Sequence, residues 1–296
     1  MDVSIIIINY NTTLLTTQSI QSVIEHTKGI AYEIIVVDNA SDDRTIADIV
    51  HQFKDVKLIL NQNNEGFGRA NNIGIAVASG EFVFLLNSDA FLISNAPEYF
   101  LKFMNDAANQ HYGVCGGELI TGDSRETISF GNFPSLFGLF SMFGLYVFFR
   151  KAYKEKYLLG VVNYDNEIKD VDIISGAAMF IRKSTLDAVG LFDKDFFLYF
   201  EETELSFRMK KKGFKSVILP EVKIIHLEGG SQVSENFNYF RYENFAIGRQ
   251  LFYKKCYGIW YATFAKSLHF LHALLLSLFK LEDGDIFKKL KIILKS

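Results

Sequence analysis

The sequence predicts an α/β fold with a mostly parallel central sheet flanked by helices and a helical extension at its C-terminal end. Three observations carry this expectation. Short β-branched or aromatic runs at Val3 to Ile8, Glu33 to Val37, Val56 to Leu60 and Glu81 to Leu86 alternate with longer helical segments, the pattern of βαβ units. Two of these runs lead into carboxylates, Asp38 and Asp89, and open α/β sheets bind ligands at the carboxyl ends of their strands. The stretch from Ile259 to Phe279 is mostly apolar, broken only by Lys266, His269 and His272.

The helices between the strands follow from local signals. Thr12 to Glu25 has a Thr-rich start, and Asn71 to Ala78 precedes Gly80, a natural residue just past a helix end. Ser94 to Glu98 reads as a cap, a proline in the first turn and an acid near the positive helix end. The first 110 residues thus form a nucleotide-binding-type half. Beyond them, Val171 to Ile181 contains a strand, Ser184 to Asp187 resembles a capping box, and Gly190 closes that short helix. Glu201 to Lys212 reads as a helix ending at Gly213, followed by a strand through Val217 to Leu219. Residues 111–255 would form an acceptor-side half, and 256–296 a C-terminal helical, membrane-associated extension.

Composition narrows the function. With 296 residues, 49% apolar and 22% charged, the chain can bury a full-sized core. A net charge of −3 supplies no global field for nucleic acid. Two cysteines, Cys115 and Cys256, suffice for neither a disulfide framework nor a cysteine zinc site, which fits a reducing cytosol. No basic leader with a long apolar core opens the chain, so no signal peptide is expected.

Several motifs carry chemistry beside a structural reading. Asn87-Ser88-Asp89 ends a continuous apolar strand, and a lone acid there suits either a hard metal ion with phosphate oxygens or an Asx turn. Asp38, heading Asp38-Asn39-Ala40-Ser41-Asp42-Asp43, can accept from a pyrimidine N–H or a ribose hydroxyl, or cap the next helix. In Asn61 to Gly74, Gly66 and Gly68 let the backbone come close to a ligand and Arg69 could reach a phosphate or base; a structural loop is the alternative. The segment is no Rossmann fingerprint and lacks the P-loop lysine. Phe196 to Phe200 delivers Glu201, Glu202 and Glu204 into a helix start, where either aromatic walls raise a carboxylate's proton affinity toward general-base use or the acids serve only the positive helix end. Glu204, four residues before Arg208, fits a surface ion pair, whereas Glu202 shares a face with Ser206 and Met209. Adjacent helical residues lie about 100° apart, so only one of Glu201 and Glu202 faces a given site. His226 ends an apolar run and can ligate a metal or serve structure.

Together these segments resemble the family 2 glycosyltransferases of the GT-A fold, and most of all their bacterial rhamnosyltransferase-like branch. The resemblance rests on Ser4 to Asn11, Val37 to Ser41, Asn64 to Gly68 with Ala70 to Gly74, and Leu86 to Asp89, in that order. It extends through Ser175 to Phe180, Tyr199 to Glu202 and His226 to Ser231, and covers the chain from Val3 to about Tyr257. It implies that Asn9, Tyr10, Asp38, Arg69, Asn87, Ser88, Asp89 and Gly176 bind a nucleotide sugar, that Asp89 and His226 hold Mn2+ or Mg2+, and that Glu202 is the base. The family's Asp-x-Asp is Asn-Ser-Asp here and its Glu-Asp acid pair is Glu-Glu, which keeps Glu201 as an alternative base.

The implied reaction is an inverting transfer of one sugar from a nucleoside diphosphate, dTDP-rhamnose favoured and a UDP-sugar open, to a lipid-linked glycan of bacterial cell-surface polysaccharide synthesis such as O-antigen. The rival reading is a catalytically silent nucleotide-sugar or lipid-binding protein of the same fold. Phe133 to Phe149 is uncharged, but a crossing there would put Asp89 and Glu202 on opposite sides of a bilayer, so it should lie on the surface or in the core. The C-terminal segment with Lys288, Lys289, Lys291 and Lys295 reads as an interfacial platform on the inner face of the cytoplasmic membrane, or else as a core or dimer-forming helix pair. No nucleic-acid partner is expected, and a homodimer stays open.

Overall fold

A computed structural model describes residues 1–42, 45–164, 166–227, 237–278 and 285–296. The N-terminal half is the expected alternation: β1 (Val3–Asn9), α1 (Thr13–His26), β2 (Tyr32–Asp38), α2 (Thr45–Val50), β3 (Val56–Leu60), α3 (Phe67–Ala76) and β4 (Phe82–Asn87). The short β5 (Ala90–Leu92) and α4 (Ala96–Asn105) follow. Then come β6 (Tyr112–Ile120), β7 (Phe130–Gly131), α5 (Leu136–Ser141), α6 (Arg150–Lys156), β8 (Lys169–Val171), β9 (Ile173–Ile174), β10 (Ala178–Arg182) and α7 (Lys183–Val189). The remainder is α8 (Glu201–Lys211), β11 (Lys215–His226), α9 (Tyr239–Phe252), α10 (Ile259–Leu278) and α11 (Ile286–Lys295).

The main sheet runs β3-β2-β1-β4-β10-β6-β11-β5, with β8 added on β11. Its first four strands are parallel, β10 lies antiparallel between β4 and β6, and β11 is again parallel to β6. The strands of the parallel half are apolar along nearly every residue because helices cover both faces. Ile5, Ile7, Phe84 and Phe180 pack on one face and Ile6, Ile35, Val83 and Met179 on the other. β1, β2 and β4 all end on one edge, and that edge holds Asn9, Asp38 and Asn87.

Several local expectations are corrected. The helix after Asn61 begins at Phe67, four residues early, because Gly66 at φ 78° turns the chain into it; Gly80 lies past its end and donates to Ser4 Oγ. Ser184 sits inside α7, whose N-cap is Arg182, so the Ser184 to Asp187 capping box does not form. Val217 to Leu219 and Val222 to Ile225 belong to one 12-residue strand, β11. Phe133 to Phe149 meets both halves of its expectation: it forms α5, whose Leu139 joins the core, and a 3₁₀ turn (Leu145–Phe149) where Phe148 is 85% exposed.

The C-terminal helices are anchored to the rest. A π-helical turn (Tyr253–Tyr257) links α9 to α10, and Phe252, Tyr253, Ala262 and Ala265 share a core with Leu139, Phe196 and Phe200. No described helix is long and apolar enough to cross a membrane.

Candidate active site

A cavity of about 250 Å³ opens at the carboxyl edge of the parallel strands. Tyr10 and Thr12 line it after β1, Asn39 after β2, Asn87, Ser88 and Asp89 at the end of β4, and Phe67 at the start of α3. Its floor is a network of short polar side chains. Asn9 Nδ2 donates to Asp38 Oδ1 at 2.7 Å, Ser41 Oγ donates to the same oxygen at 2.6 Å, and Thr16 Oγ1 donates to Asn9 Oδ1 at 2.7 Å. Asn39 ties this to the next loop by donating to Asn64 Oδ1 at 2.9 Å and accepting from Asn61 Nδ2 at 3.0 Å. Such buried amides and hydroxyls fix the strand ends because each left unpaired would cost about 1–3 kcal/mol.

Asp38 and Asn9 are fully buried within that network and do not line the cavity. Arg69 also turns away from it: Nε donates to the Glu65 carbonyl at 2.8 Å and Nη1 lies 3.4 Å from the Glu65 carboxylate. Asp43 of the second motif, and Glu228 to Ser231 of the last, lie outside the described residues.

Asp89 and His226 do converge. Asp89 occupies the turn between β4 and β5, β5 pairs with β11, and the Leu227 N–H donates to the Asp89 carbonyl. This places His226 Nε2 3.4 Å from Asp89 Oδ1. Asp89 opens into the cavity with 8% of its surface exposed. One carboxylate and one imidazole at this separation suit two corners of a divalent-ion site, the remaining ligands coming from diphosphate oxygens and water. Among the described residues no cluster of three or more His, Cys, Asp and Glu side chains could hold a metal alone. Nδ1 of His226 is buried with no hydrogen-bond partner, so nothing described fixes its tautomer.

The acid pair reaches the same edge from the other half of the sheet. β10 pairs with β4 so that Leu86 faces Ala178, and the Asn87 N–H donates to the Ala177 carbonyl at 2.9 Å. A Cβ built on Gly176 would stand 3.5 Å from the Phe67 ring and 3.9 Å from Glu202 Cγ. Glu202 therefore lies across Gly176 from a wall of the cavity. Glu201 turns elsewhere, its Cβ 3.4 Å from where a Cβ on Gly68 would be. It is 2% exposed with Oε2 unpartnered. Burial pushes both carboxyls above the usual glutamate range, and the neighbouring Glu202 charge pushes Glu201 further. The structure thus separates the two acids as 100° spacing requires.

The turn that delivers them is strained. Tyr199 and Phe200 both have positive φ, 69° and 71°, which is rare for aromatic residues and costs about 1–3 kcal/mol each. α9 holds the turn: Gly248 leaves room for the Tyr199 carbonyl, which a Cβ would meet at 2.4 Å, and Phe245 packs edge-on to Phe200 at 5.0 Å. Glu204 pairs with Arg208 as expected, at 2.7 Å, but the pair is largely buried; Arg208 also donates to the carbonyls of Val189 and Leu191.

Gly66 lines the cavity, but like Gly68 it gives the space of its missing side chain to protein. A Cβ on Gly66 would stand 2.2 Å from the Phe197 carbonyl, and one on Gly68 3.0 Å from Phe192 Cβ. The Phe67 N–H donates to that Phe197 carbonyl at 2.9 Å, which joins the two halves of the site. Gly66→Ala combines this clash with a positive φ and is expected to lower stability by at least about 2 kcal/mol, read by thermal unfolding. Not expected from the sequence are Thr12, whose Oγ1 donates to Ser88 Oγ at 3.0 Å, and the lining residue Phe240, whereas Phe197 and Leu198 belong to the expected aromatic wall. Thr12 directly follows Asn9-Tyr10-Asn11, the one signal that could have found it.

A parallel half-sheet with a polar cavity and a carboxylate at its carboxyl edge, continued by a mixed half that brings an acid-bearing helix to the same edge, defines a GT-A glycosyltransferase fold. The crystal structure of GalNAc-T7 with UDP, GalNAc and Mn2+ superposes on it with a TM-score of 0.61 at 16% identity, over 86% of this chain and 48% of that one. The model of glycosyl transferase family 2 matches residues 4–129, and that of glycosyl transferase family group 2 matches 141–283. A hexosyltransferase of low-salt glycan biosynthesis, Agl10 of Haloferax volcanii, is 25% identical over 88% of this chain and 80% of its own length. The N-acetylglucosaminyl-diphospho-decaprenol L-rhamnosyltransferase of Mycobacterium tuberculosis is 26% identical over 65% of this chain and 66% of its own. The dTDP-rhamnosyl transferase RfbF of Shigella flexneri is 23% identical over 77% of this chain and 70% of its own. The two models together span most of the chain, which belongs to glycosyltransferase family 2, and rhamnosyltransferases are among its relatives.

Proposed function

We propose that the protein is an inverting glycosyltransferase that moves one sugar, rhamnose from a dTDP donor in the favoured reading, to a hydroxyl of a lipid-linked glycan. The observation that carries this reading is that Asp89, His226, Gly176 and Glu202 come to one strand edge from four separate segments. The names of the Mycobacterium and Shigella relatives support the rhamnosyl donor, and the Mycobacterium name supports the lipid-linked acceptor.

In this reading the donor's nucleotide lies against Tyr10, Asn87, Ser88 and Asp89. Asp38 acts through Asn9 and Ser41, and Arg69 reaches a phosphate only by leaving Glu65. Asp89 and His226 hold a divalent ion, Mn2+ fitting a mixed oxygen and nitrogen pair, and when bound it neutralises charge growing on the departing diphosphate. Glu202 takes the proton from the acceptor hydroxyl, whose oxygen attacks the anomeric carbon from the face opposite the leaving group, so configuration inverts. The experiment is a transfer assay with dTDP-rhamnose and a lipid-linked acceptor in Mn2+. Formation of the inverted glycoside supports the reading, and wild-type protein that binds dTDP without transferring to any lipid-linked acceptor favours the silent-binder alternative.

The membrane assignment is peripheral and cytoplasmic. It is supported by Phe148 of the 3₁₀ turn, Trp260 of α10 and Phe287 of α11, each more than 80% exposed. The basic cluster contributes less than its sequence suggests, because Lys289 is buried against the Phe237 ring at 4.1 Å. Phe148→Glu combined with Trp260→Glu should reduce cosedimentation with anionic liposomes several-fold; unchanged binding would refute the platform. These positions are preferred to truncation because α10 also supplies core residues.

A further inference from the structure

A second cavity, of about 330 Å³, lies between α5, α6, α9 and α10, outside the strand-edge site. Its walls are apolar and aromatic, among them Leu139, Met142, Tyr153 and Tyr157, yet two nitrogen-bearing side chains also line it: Arg249 of α9 and His269 of α10. The same two side chains line a smaller adjoining cavity that continues toward Leu276 and Ile293.

His269 lacks the partner its burial calls for, and Arg249, half-buried, has no carboxylate among the described lining residues. A guanidinium stays charged in a protein, and removing it from water is costly without an anion. Arg249 rests on the Phe245 ring at 5.7 Å, and no Asp or Glu is among the described lining residues of either cavity. Burial accordingly pushes its pKa down. His269 is 6% exposed, and its Nε2 is buried with no hydrogen-bond partner. Burial and the nearby Arg249 charge hold the ring neutral, its pKa lowered to about 2, so it can present Nε2–H as a donor without adding charge.

An uncompensated guanidinium fork beside a spare imidazole donor fits a phosphate, which Arg can bind through two parallel hydrogen bonds. The surrounding hydrocarbon and aromatic walls fit an apolar chain attached to it. The position connects to the chemistry through two edge-packed rings: Phe245 lines this cavity and packs on Phe200, and Phe200 is followed directly by Glu201 and Glu202.

We propose that Arg249 and His269 form an anion site that holds the phosphate headgroup of an isoprenoid-type lipid acceptor, two aromatic rings away from the acid pair. This rests on the lipid-linked acceptor of the proposed function. Calorimetric titration of the full chain, in EDTA to suppress the metal-dependent donor site, tests it with farnesyl diphosphate, farnesol and inorganic pyrophosphate. Farnesyl diphosphate should bind at least about tenfold more tightly than either fragment, and Arg249→Gln should weaken it about tenfold or more. Affinity unchanged by Arg249→Gln would overturn the site, and pyrophosphate binding as tightly as farnesyl diphosphate would make it a free-phosphate site and overturn the lipid assignment. Binding of dTDP with Mn2+ by the variant checks its fold. Should Arg249→Gln unfold, His269→Phe, which retains a ring against Tyr253 and removes Nε2, should weaken farnesyl diphosphate about threefold or more, with no change as the overturning result. Wild-type protein inactive toward every lipid-linked acceptor would sink the proposed function, whereas active protein whose acceptor KM ignores Arg249→Gln would sink this site alone.

Discussion

Glu202→Gln is expected to lower sugar transfer by about 10²–10⁴-fold, the usual contribution of a positioned general base, while leaving dTDP affinity within about twofold. The substitution preserves shape and removes only the ability to take a proton. Glu202 faces Gly176 and the Phe67 wall, whereas Glu201 is packed beneath α3 with an oxygen unpartnered. Glu201→Gln should therefore keep most of the turnover and raise stability. The sign follows from burial: a folded carboxyl whose pKa is raised above its unfolded value binds the proton more tightly than the unfolded chain does. Stability then falls as pH rises above the ordinary glutamate value of 4.5, and the neutral amide escapes that loss. Thermal unfolding of the wild type and Glu201→Gln at pH 5 and pH 8 checks this, the gap between them widening at pH 8. If Glu201→Gln is the inactive variant, the base has been assigned to the wrong acid.

Asp89→Ala should reduce turnover by about 10²–10³-fold, comparable to removing one electrostatic stabiliser of a leaving group, and should abolish any strengthening of dTDP binding by Mn2+. The effect is large because this strand end carries a single acid. Asn87 stands where a second carboxylate would share the charge, and the Asn87 N–H is already given to the Ala177 carbonyl. His226→Ala should have the same character at smaller size, since the remaining Asp89 still supplies the negative ligand. Turnover and dTDP affinity, each measured with and without Mn2+, distinguish this from general unfolding, which would also remove metal-independent binding.

Much of the parallel half was legible because period-free apolar runs bounded by polar turns have one economical arrangement, a buried sheet covered on both faces. The expected strands at Val3, Glu33, Val56 and Glu81 fall within a residue or so of β1 to β4. What failed was local and had a tertiary cause. The helix expected from Asn71 begins instead at Phe67, because Gly66 turns the chain and the Phe197 carbonyl takes the Phe67 N–H, a contact across 130 residues. Gly66 and Gly68 look open to a ligand in sequence, but the partner that needs their missing side chains is the loop leading to Glu201.

The site was legible as a set of residue types and less so as a geometry. Asp89 and His226 are far apart in sequence, and only the pairing of β5 with β11 brings them to 3.4 Å. Asp38 looked like a ligand-facing acid, but Asn9 and Ser41, each innocuous alone, enclose it. The positive φ at Tyr199 and Phe200 leaves no composition signal, because it is imposed by Gly248 and Phe245 from a helix about 45 residues on.

Whether Asp89 and His226 share one ion is decided by diffraction from crystals grown with dTDP and Mn2+, with anomalous data collected at the manganese edge. A shared Asp89–His226 site gives one strong peak within about 2.0–2.3 Å of both an Asp89 carboxylate oxygen and His226 Nε2, touching the dTDP diphosphate in the strand-edge cavity. A manganese peak bound elsewhere, or dTDP seated away from Asp89, would contradict it.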